Sequence, residues 1–581
     1  MKLDLIGENR IASTNLFSNQ IPDRIMKTPY TESLNVARES KKWGRAEAVK
    51  LVSDFETRKQ PVSQREFAKT NGIARSTLRH WKDRKNSIDA DPVLIDFFEN
   101  PVGLVFLHRL VTSAHVSFTK AGPASIHNVS DFLKKSGLSA FVASSYSSQR
   151  RLSQQIDENI IEFGNIEDNR LGQQMPTKLI TLCEDETFHP EICLVAMEPV
   201  SNFILVEKYA LNREAKTWNE AVNDALSNLP VEVIQVTSDE GRSLISHALK
   251  GLKVHHSPDC FHVIYEIGRG TCGALMSKVR QAEKEYEKMV KQTHIIKQKK
   301  DKFDNADKRP RGRRPNFEKK IEEAEIDEQS AKKKWDQASL NHETVLTEKA
   351  QIGQVYHPYN LKTGQRQDSE IISGLLADCF DKIHTATTDL TDRCKERVNK
   401  AQRVVVSMVA SIGFFFQIVE IYLDNMQLST RDKHLMHNYL IPGNYLKLVA
   451  SKERDVQRKA EILQVAQKLL LIVESTGDAC SDSNIEELDK AAIECAQLFQ
   501  RSSSCVEGRN AQLALRHQGI HRLNDRQLKA YTIMHNYYIR RRDGTTAAER
   551  FFNAKPNDLF EYLLDHVDYP VRPRKLLKSV A

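Results

Sequence analysis

The sequence predicts a multidomain α+β protein, and three observations lead to this fold class. The chain has 581 residues, which is too long for a single hydrophobic core. Its apolar residues recur at helical spacing up to about residue 170 and follow a strand pattern in short runs between 178 and 260. After that they return to helical spacing in a highly charged stretch. We therefore expect helical N-terminal domains, a strand-containing core and a long helical segment.

These changes of pattern divide the chain into six predicted segments. In chain order they are a flexible N-terminal arm (1–40), a helix-turn-helix domain (41–90), a second helical domain (91–170), the first part of the core (171–270), a helical insertion (271–495) and the completion of the core with basic helices (496–581).

Composition and charge limit the location and the partners of the protein. The formal net charge is +8, and the Lys and Arg residues are clustered, which favours a polyanionic partner. None of the nine cysteines forms a Cys-x-x-Cys pair, as is typical of a reducing compartment. Charges within the first ten residues argue against a secretory signal. We expect a cytoplasmic protein, associated with the nucleoid in a bacterium or nuclear in a eukaryote.

The segment 61–85 has the spacing of a helix-turn-helix unit. Ser63 is a predicted cap of a first short helix, Asn71-Gly72 supply a left-handed turn, and a second helix begins at Ala74 or Arg75. The alternative is an ordinary helical hairpin with a solvated basic face. The side chains that the second helix offers to phosphates and base edges are Arg75, Ser76, Thr77, Arg79, His80 and Lys82.

A weaker copy of this pattern follows at 125–152. Gly137 occupies the turn position, and Gln149, Arg150 and Arg151 end the predicted second helix, which is rich in serine. Two such units in tandem would suit a long asymmetric DNA site.

The strand pattern begins at Lys178. Three apolar runs precede a helix, a fourth strand that ends at Asp239, a further helix and a short fifth strand. This β-β-β-α-β-α-β order is that of the ribonuclease-H-like fold, in which the first and fourth strands are neighbours. Asp185 and Asp239 would then meet at one edge of the sheet.

The stretch from about 265 to 350 predicts an antiparallel helical hairpin, because Pro310 and Pro315 interrupt its charged helical pattern. The tip, R-G-R-R-P, resembles the core of an AT-hook, with Arg311, Arg313 and Arg314 as the minor-groove residues. A solvated hairpin tip is the alternative. Further amphipathic helices follow to about 500, and the apolar run Val404–Leu423 predicts a buried core helix.

Three carboxylates stand out against this framework. Asp185 and Asp239 lie at strand ends, and Glu507 lies in a late helical segment. Three carboxylates can hold two divalent cations about 4 Å apart over a phosphodiester. Arg509 and Arg516 follow Glu507 closely, where a phosphate backbone would need countercharge.

These residues resemble the DDE transposases and retroviral-type integrases, in particular the hAT-like, Mutator-like and related bacterial insertion-sequence branches. Asp185 in C-E-D-E-T matches the first acid, Asp239 in T-S-D-E-G the second, and Glu507 in V-E-G-R-N the third. The run D-C-F-H, from Asp259 to His262, matches the [C/D]-x-x-H signature of these branches. In those branches a large helical domain interrupts the core before the last acid, as the long helical stretch does in this chain.

The resemblance implies an N-terminal helix-turn-helix, a ribonuclease-H-like α/β catalytic core and a long all-α insertion. It implies a DNA transposase that cleaves transposon ends and transfers their 3′-hydroxyls into target DNA. Asp185, Asp239 and Glu507 would hold two Mg²⁺ or Mn²⁺ ions, and His262 would assist the substrate or the leaving group. A homodimer or larger assembly is expected, with no membrane and no small-molecule substrate. A catalytically silent DNA-binding regulator and a metal-dependent nuclease without strand transfer are the alternatives.

The choice of acid is open at two positions. Glu184 and Glu186 flank Asp185, and only the alternation of strand side chains favours Asp185 as the ligand. Glu240 beside Asp239 raises the same question. Asp259 is a secondary candidate because it belongs to the D-C-F-H run.

Overall fold

The structure is a computed structural model that describes residues 43–188, 191–307, 312–477, 484–520 and 522–574. The chain divides into two compact units, and the boundary lies between Arg84 and Lys85. One five-stranded mixed sheet with many helices confirms the α+β class. The predicted arm, residues 1–40, and Arg311 lie outside the described residues. The finer domain divisions stay predictions.

The described part of the first unit, from residue 43 onward, contains three helices, α1 (Arg45–Glu56), α2 (Gln64–Thr70) and α3 (Arg75–Lys85). The Ser63 hydroxyl accepts a hydrogen bond from the Glu66 amide at 3.2 Å, and Gly72 has a φ of 65°. The predicted cap, turn and second helix are therefore all present. Because an ordinary helical hairpin has the same features, DNA binding by this unit stays a prediction.

The second unit begins with four helices. They are α4 (Pro92–Phe98), α5 (Pro101–Ala114), which continues as a π-helical segment (His115–Ala121), α6 (Ile126–Lys135) and α7 (Tyr146–Gln174). The prediction of a second helix-turn-helix at 125–152 is wrong about its second helix, because α7 begins at Tyr146 and has 29 residues. Gln149 is buried in its first turns, where its carbonyl lies 2.8 Å from the His115 ring and its amide donates to the Ala143 carbonyl.

The sheet contains every strand among the described residues. The strands and their intervening helices are β1 (Lys178–Thr187), β2 (Cys193–Glu198), β3 (Phe203–Tyr209), α8 (Ala215–Leu226), β4 (Val231–Ser238), α9 (Arg242–Ser246), a π-helical segment (His247–Leu252) and β5 (His255–Pro258). Their spatial order is β3-β2-β1-β4-β5. The strand β1 is antiparallel to β2 and parallel to β4, which confirms the prediction that the first and fourth strands are neighbours.

The helical segment after β5 has no β strand among its described residues. Its helices are α10 (Cys260–Asp304), α11 (Phe317–Val355), α12 (Ser369–Ala386), α13 (Asp392–Arg403), α14 (Val405–Asn425), α15 (Thr430–Leu435), a π-helical segment (Met436–Leu440), α16 (Ile441–Lys452), α17 (Val456–Gly477) and α18 (Ile485–Gln497). The helices α10 and α11 pack along each other and form the predicted charged hairpin. Most of the other helices in this segment contribute to one large apolar core.

The apolar helix α14 lies within this segment. Residues 392–425 are the one stretch of the described residues that is long and apolar enough to cross a membrane, and an 18-residue window within it has a mean hydropathy of 2.1. One such helix is weak evidence for a span, because core helices pass the same test. Met408, Ile412, Phe415 and Val419 are buried in the core of the helical segment, as the prediction of a core helix requires.

The chain returns to the sheet through α19 (Ser504–Ile520), and α20 (Asp525–Tyr537), α21 (Ala547–Phe552) and α22 (Leu559–His566) follow. The two ends of the helical segment meet at this point. The Cys260 amide donates to the Arg501 carbonyl at 3.0 Å, and the Ser503 hydroxyl donates to Asp259 at 2.6 Å. The chain therefore leaves and re-enters the core at one place.

Candidate functional site

The first two candidate acids follow equivalent positions on neighbouring parallel strands. Cys183 of β1 is in register with Thr237 of β4, and Asp185 and Asp239 each come two residues later. The carboxyl ends of β1 and β4 therefore carry both acids at one edge of the sheet. The Asp239 carboxylate accepts a hydrogen bond from the Gly241 amide at 2.9 Å, which fixes the turn after β4.

Side-chain alternation separates Asp185 from its acidic neighbours. Asp185 faces α19, where the Asn510 amide donates to its carboxylate at 2.8 Å. Glu184 is fully buried against His247 on the opposite side of the sheet, at 3.2 Å. Glu186 accepts from the Trp218 indole at 3.2 Å on that same side. The two flanking acids thus have partners within the fold, although Glu186 also lines the cleft that holds Asp185 and Glu507.

Helices α10 and α19 bring in the remaining candidates. Glu507 lies in the first turn of α19, and His262 lies in the first turn of α10. The His262 Nδ1 atom is 3.8 Å from a Glu507 carboxylate oxygen. The electrostatic influence of Asp185 and Asp239 reaches His262 as well. Asp185, Asp239 and Glu507 therefore all lie within electrostatic range of His262, although Glu507 lies far from the others in sequence.

Asp259 holds His262 in place. One Asp259 oxygen accepts from the Phe261 amide at 2.8 Å, and the other accepts from Ser503 and lies 3.4 Å from His262 Nδ1. Asp259, His262 and Glu507 have potential ligand atoms within 4.8 Å of one another. Because Asp259 is buried and both of its oxygens are occupied, its role is to orient His262.

The site concentrates negative charge in a half-buried position. Burial, with the charges of Asp239 and Glu507, raises the pKa of Asp185 to about 6. Burial and the Asp259 charge raise the pKa of Glu507 as well. The hydrogen bond that His262 donates to Asp259, with the charges of Asp259, Asp239 and Asp185, raises the pKa of His262 to about 9. His262 is thus a cation at neutral pH, and it offsets only part of the acidic charge.

This donor set fits a hard divalent cation. Asp185, Asp239 and Glu507 offer carboxylate oxygens, which are the ligands that Mg²⁺ and Mn²⁺ prefer. The Asn510 side-chain oxygen is buried and has no hydrogen-bond partner among the described residues. A second cationic group beside these acids would relieve the repulsion that raises the pKa of Asp185.

The cleft in front of these residues has a volume of about 440 Å³. Three exposed aromatic rings, those of Phe188, Phe261 and Tyr265, line it. Sequence reasoning missed these rings and Asn510. A signal was present, because Asn510 lies three residues after Glu507 and therefore on the same face of the helix, and Phe261 and Tyr265 are one turn apart.

The prediction that Arg509 and Arg516 supply countercharge to a DNA backbone at the carboxylate cleft is not supported by their positions, because neither residue lines that cleft. Arg509 is buried and forms two hydrogen bonds of 2.7 Å with the buried Glu207 carboxylate. Arg516 is buried too and donates to the carbonyls of Thr119 and Gly122. Both guanidinium groups anchor α19 to the rest of the fold, because a cation in the interior needs internal acceptors.

The other predicted DNA-binding residues lie on the surface. Arg75, Ser76, Arg79 and His80 are exposed on α3, and Thr77 and Lys82 are half-buried. At the hairpin tip Arg313 is exposed, and Arg314 is 3.1 Å from Asp304 and 3.4 Å from Glu318. These ion pairs would compete with a phosphate for Arg314, whereas Arg313 remains open to solvent.

In comparison with known protein families, residues 436–579 match a family of unknown function (DUF6399). This range includes Glu507 and Asn510 but none of the strands. No curated protein and no solved structure matches the chain.

Proposed function

We propose that the protein is a DDE-type DNA transposase, which cleaves transposon ends and joins their 3′-hydroxyls to target DNA. One observation carries this proposal: Asp185 lies in one cleft with Glu507 and the cationic His262, and Asp239, at the end of the neighbouring parallel strand, lies within electrostatic range of Asp185 and His262. The contacts within the cleft do not explain why the fold keeps an excess of carboxylates there.

The topology supports a ribonuclease-H-like core. The sheet order β3-β2-β1-β4-β5, with β2 antiparallel to its neighbours, is the order expected of that fold. The helical segment between β5 and α19 corresponds to the insertion of the hAT-like and Mutator-like branches. Fold alone does not determine function, so the proposal rests on the cleft.

Asp185, Asp239 and Glu507 would hold two Mg²⁺ or Mn²⁺ ions. Such ions, when bound, activate a water or a 3′-hydroxyl and neutralise charge on the phosphodiester. Asn510 fixes the orientation of the Asp185 carboxylate, since it donates to one of its oxygens. That hydrogen bond holds the Asp185 carboxylate in the cleft that Glu507 also lines.

His262 would contribute a positive charge and a hydrogen-bond donor beside the scissile phosphate. Its raised pKa keeps the ring charged at neutral pH, so it can donate to a phosphate or leaving-group oxygen. Phe188, Phe261 and Tyr265 offer ring faces on which unpaired bases can stack. Cleavage near a DNA end exposes such bases.

The N-terminal unit would recognise the transposon ends through α3. Its exposed basic side chains suit a major groove, and the modest net charge of +8 suits selective rather than general DNA binding. Because two ends must be joined in one complex, we propose a homodimer or larger assembly as the active form.

Cleavage of DNA by matched variants tests this proposal. The full chain is incubated with Mg²⁺ or Mn²⁺ and a plasmid that carries the DNA flanking its own coding sequence. We expect nicked and joined products from the native protein and from Glu240→Gln, a neighbouring exposed acid. Asp239→Asn should give none, because it removes one of the three carboxylates.

Each result decides between functions. Joined products that depend on Asp239 support the transposase, and nicks without joining would point to a nuclease. DNA binding without cleavage would point to a catalytically silent regulator. Equal cleavage by native protein and Asp239→Asn would overturn the site assignment.

A further inference from the structure

A second, larger cavity lies apart from the carboxylate cleft. It has a volume of about 540 Å³, which suits a small ligand, and it shares no lining residue with the cleft. Its walls come from α6, α7, α19 and α20 and from the π-helical segment His115–Ala121. Segments of π-helix are frequent at functional sites.

Positive charge is in excess around this cavity. Its lining includes five cations, and three of them have acidic partners: Lys120 pairs with Asp157, Arg522 with Glu191, and Arg526 with Glu158, all at 2.5 Å. The remaining two are Arg150 and Arg516. Neither forms an ion pair within the part of the chain that the structure describes. An anion would therefore meet two guanidinium groups that no carboxylate pairs directly, although Arg516 also lies over the Tyr531 ring at 4.7 Å and within electrostatic range of Asp157.

Arg516 lies in the wall of this cavity. Its two terminal nitrogens donate to carbonyls at the end of the π-helical segment, while its Nε atom is buried without a hydrogen-bond partner among the described residues. Burial lowers the pKa of Arg516, so the site disfavours its charge as it stands. An anion within the cavity would supply the missing acceptor.

An aromatic surface lies at another part of the wall. The His127 and Tyr146 rings are stacked, with centroids 4.6 Å apart and an interplanar angle of 21°. Tyr146 is 43% exposed, which leaves one ring face open. A flat ring system could stack on this pair while an anionic group meets the arginines.

We propose that this cavity binds a nucleotide, with its phosphate at Arg150 and Arg516 and its base on the His127–Tyr146 pair. The combination of guanidinium groups that no carboxylate pairs directly and an open aromatic face matches a phosphate joined to a planar base. The nucleotide is either free or part of a DNA strand, since both present the same chemistry. The proposal does not depend on catalysis in the carboxylate cleft.

Binding measurements on the full chain test the proposal with a matched pair of variants. Arg150→Glu reverses a cavity charge, whereas Arg151→Glu reverses an exposed charge on the next residue, outside the cavity. The probes are AMP, a 5′-phosphorylated single-stranded 12-mer and inorganic phosphate. We expect Arg150→Glu and Tyr146→Ala each to weaken AMP or 12-mer binding at least about tenfold, and Arg151→Glu to leave it within about twofold.

The probes separate the sources of the nucleotide. Binding of AMP that Arg150→Glu removes supports a free-nucleotide site, and binding of the 12-mer alone with the same sensitivity supports a DNA strand. Equal losses in Arg150→Glu and Arg151→Glu would overturn the proposal, as would binding of inorganic phosphate with no gain from a base. Asp239→Asn should bind all three probes as the native protein does, so failure of this proposal is distinct from failure of the transposase.

Discussion

The two sides of β1 carry polar groups of opposite character. On the α8 side, the buried Glu184 contacts His247, and the half-buried Glu186, which also lines the cleft, contacts the buried Trp218. We call these four residues the closed cluster. On the α19 side, Asp185 lies in an open cleft whose acids outnumber its one cation, His262.

The difference shows how to separate structural carboxylates from functional ones in one strand. In the closed cluster the acids meet donors from the same fold, as buried polar groups require. In the open cleft, burial and like charges leave Asp185 with a pKa of about 6, a strain that the internal contacts do not remove. Adjacent residues of the same chemical type therefore differ in role because strand alternation sends them to different surroundings.

Replacement of Asp185 and Glu184 by their amides should give the largest difference between the two sides of β1. Asp185→Asn should lower DNA cleavage by at least about 10,000-fold with little change in stability, because a central ligand is lost. Glu184→Gln should instead lower the unfolding midpoint and keep most of the activity per folded molecule. Activity and denaturation measured on both variants check this pair. A stable, inactive Glu184→Gln would reverse our assignment of the two sides.

Removal of the cation that pairs with a buried acid, Arg509 beside Glu207, should mainly lower the stability of the fold. Arg509→Met leaves the Glu207 carboxylate buried and unpaired, which should cost about 3 to 5 kcal/mol in the free energy of unfolding. Arg522→Met removes an exposed partner of Glu191 and should cost less than about 1 kcal/mol. Urea denaturation of both variants measures the contrast. If Arg509→Met kept full stability and lost DNA affinity, the earlier prediction of a phosphate contact would be restored.

Divalent cations should stabilise the open cleft and leave the closed cluster unaffected. At about 100 times the dissociation constant, Mg²⁺ or Mn²⁺ should add about 2.7 kcal/mol to the stability of the native protein. Asp239→Asn should lose most of this gain, and Glu240→Gln should keep it. Thermal unfolding with and without Mn²⁺ is the measurement, and an equal rise in all three proteins would indicate binding elsewhere.

The charge of His262 should depend on Asp259. The hydrogen bond and negative charge of Asp259 favour the imidazolium, so His262 stays charged below a pKa of about 9. Asp259→Asn should shift that pKa back toward the ordinary 6.5. Activity that needs the charged ring should then decrease as the pH rises above that lower pKa, about tenfold per pH unit. A pH profile of cleavage, together with imidazole NMR titration, checks the sign. An unchanged alkaline limb would exclude His262 from the reaction.

Local rules of strand geometry were enough to predict the sheet part of the site. Parallel strand ends lie at one edge, so Asp185 and Asp239 could be expected to meet, and alternation selected Asp185 over Glu184 and Glu186. Such rules could not predict that Arg509 and Arg516, which follow Glu507, would be buried. A sequence shows their charge but not Glu207, which reaches Arg509 from β3 only after the sheet and α19 pack together.

The second helix-turn-helix prediction failed for a related reason. Gly137 does adopt the left-handed turn, with a φ of 75°, yet the next helix starts only at Tyr146. Ser145 caps that helix by accepting from the Ser148 amide at 3.3 Å, and Gln149 has internal partners. Several serines were available as caps, and the tertiary contacts of α7 decided which one was used.

The hydrogen bond between Asp259 and Ser503 joins the two ends of the long helical segment where it meets the sheet-containing core. Because the Cys260 amide donates a hydrogen bond to the Arg501 carbonyl at 3.0 Å, the helical segment begins and ends at one junction on the sheet-containing core. Chain length between two points already held together adds little entropy cost, so the excursion can grow or shrink without moving Glu507. The position of Glu507 in the fold therefore depends on this junction, which also orients His262, and not on the length of chain that separates Glu507 from Asp239.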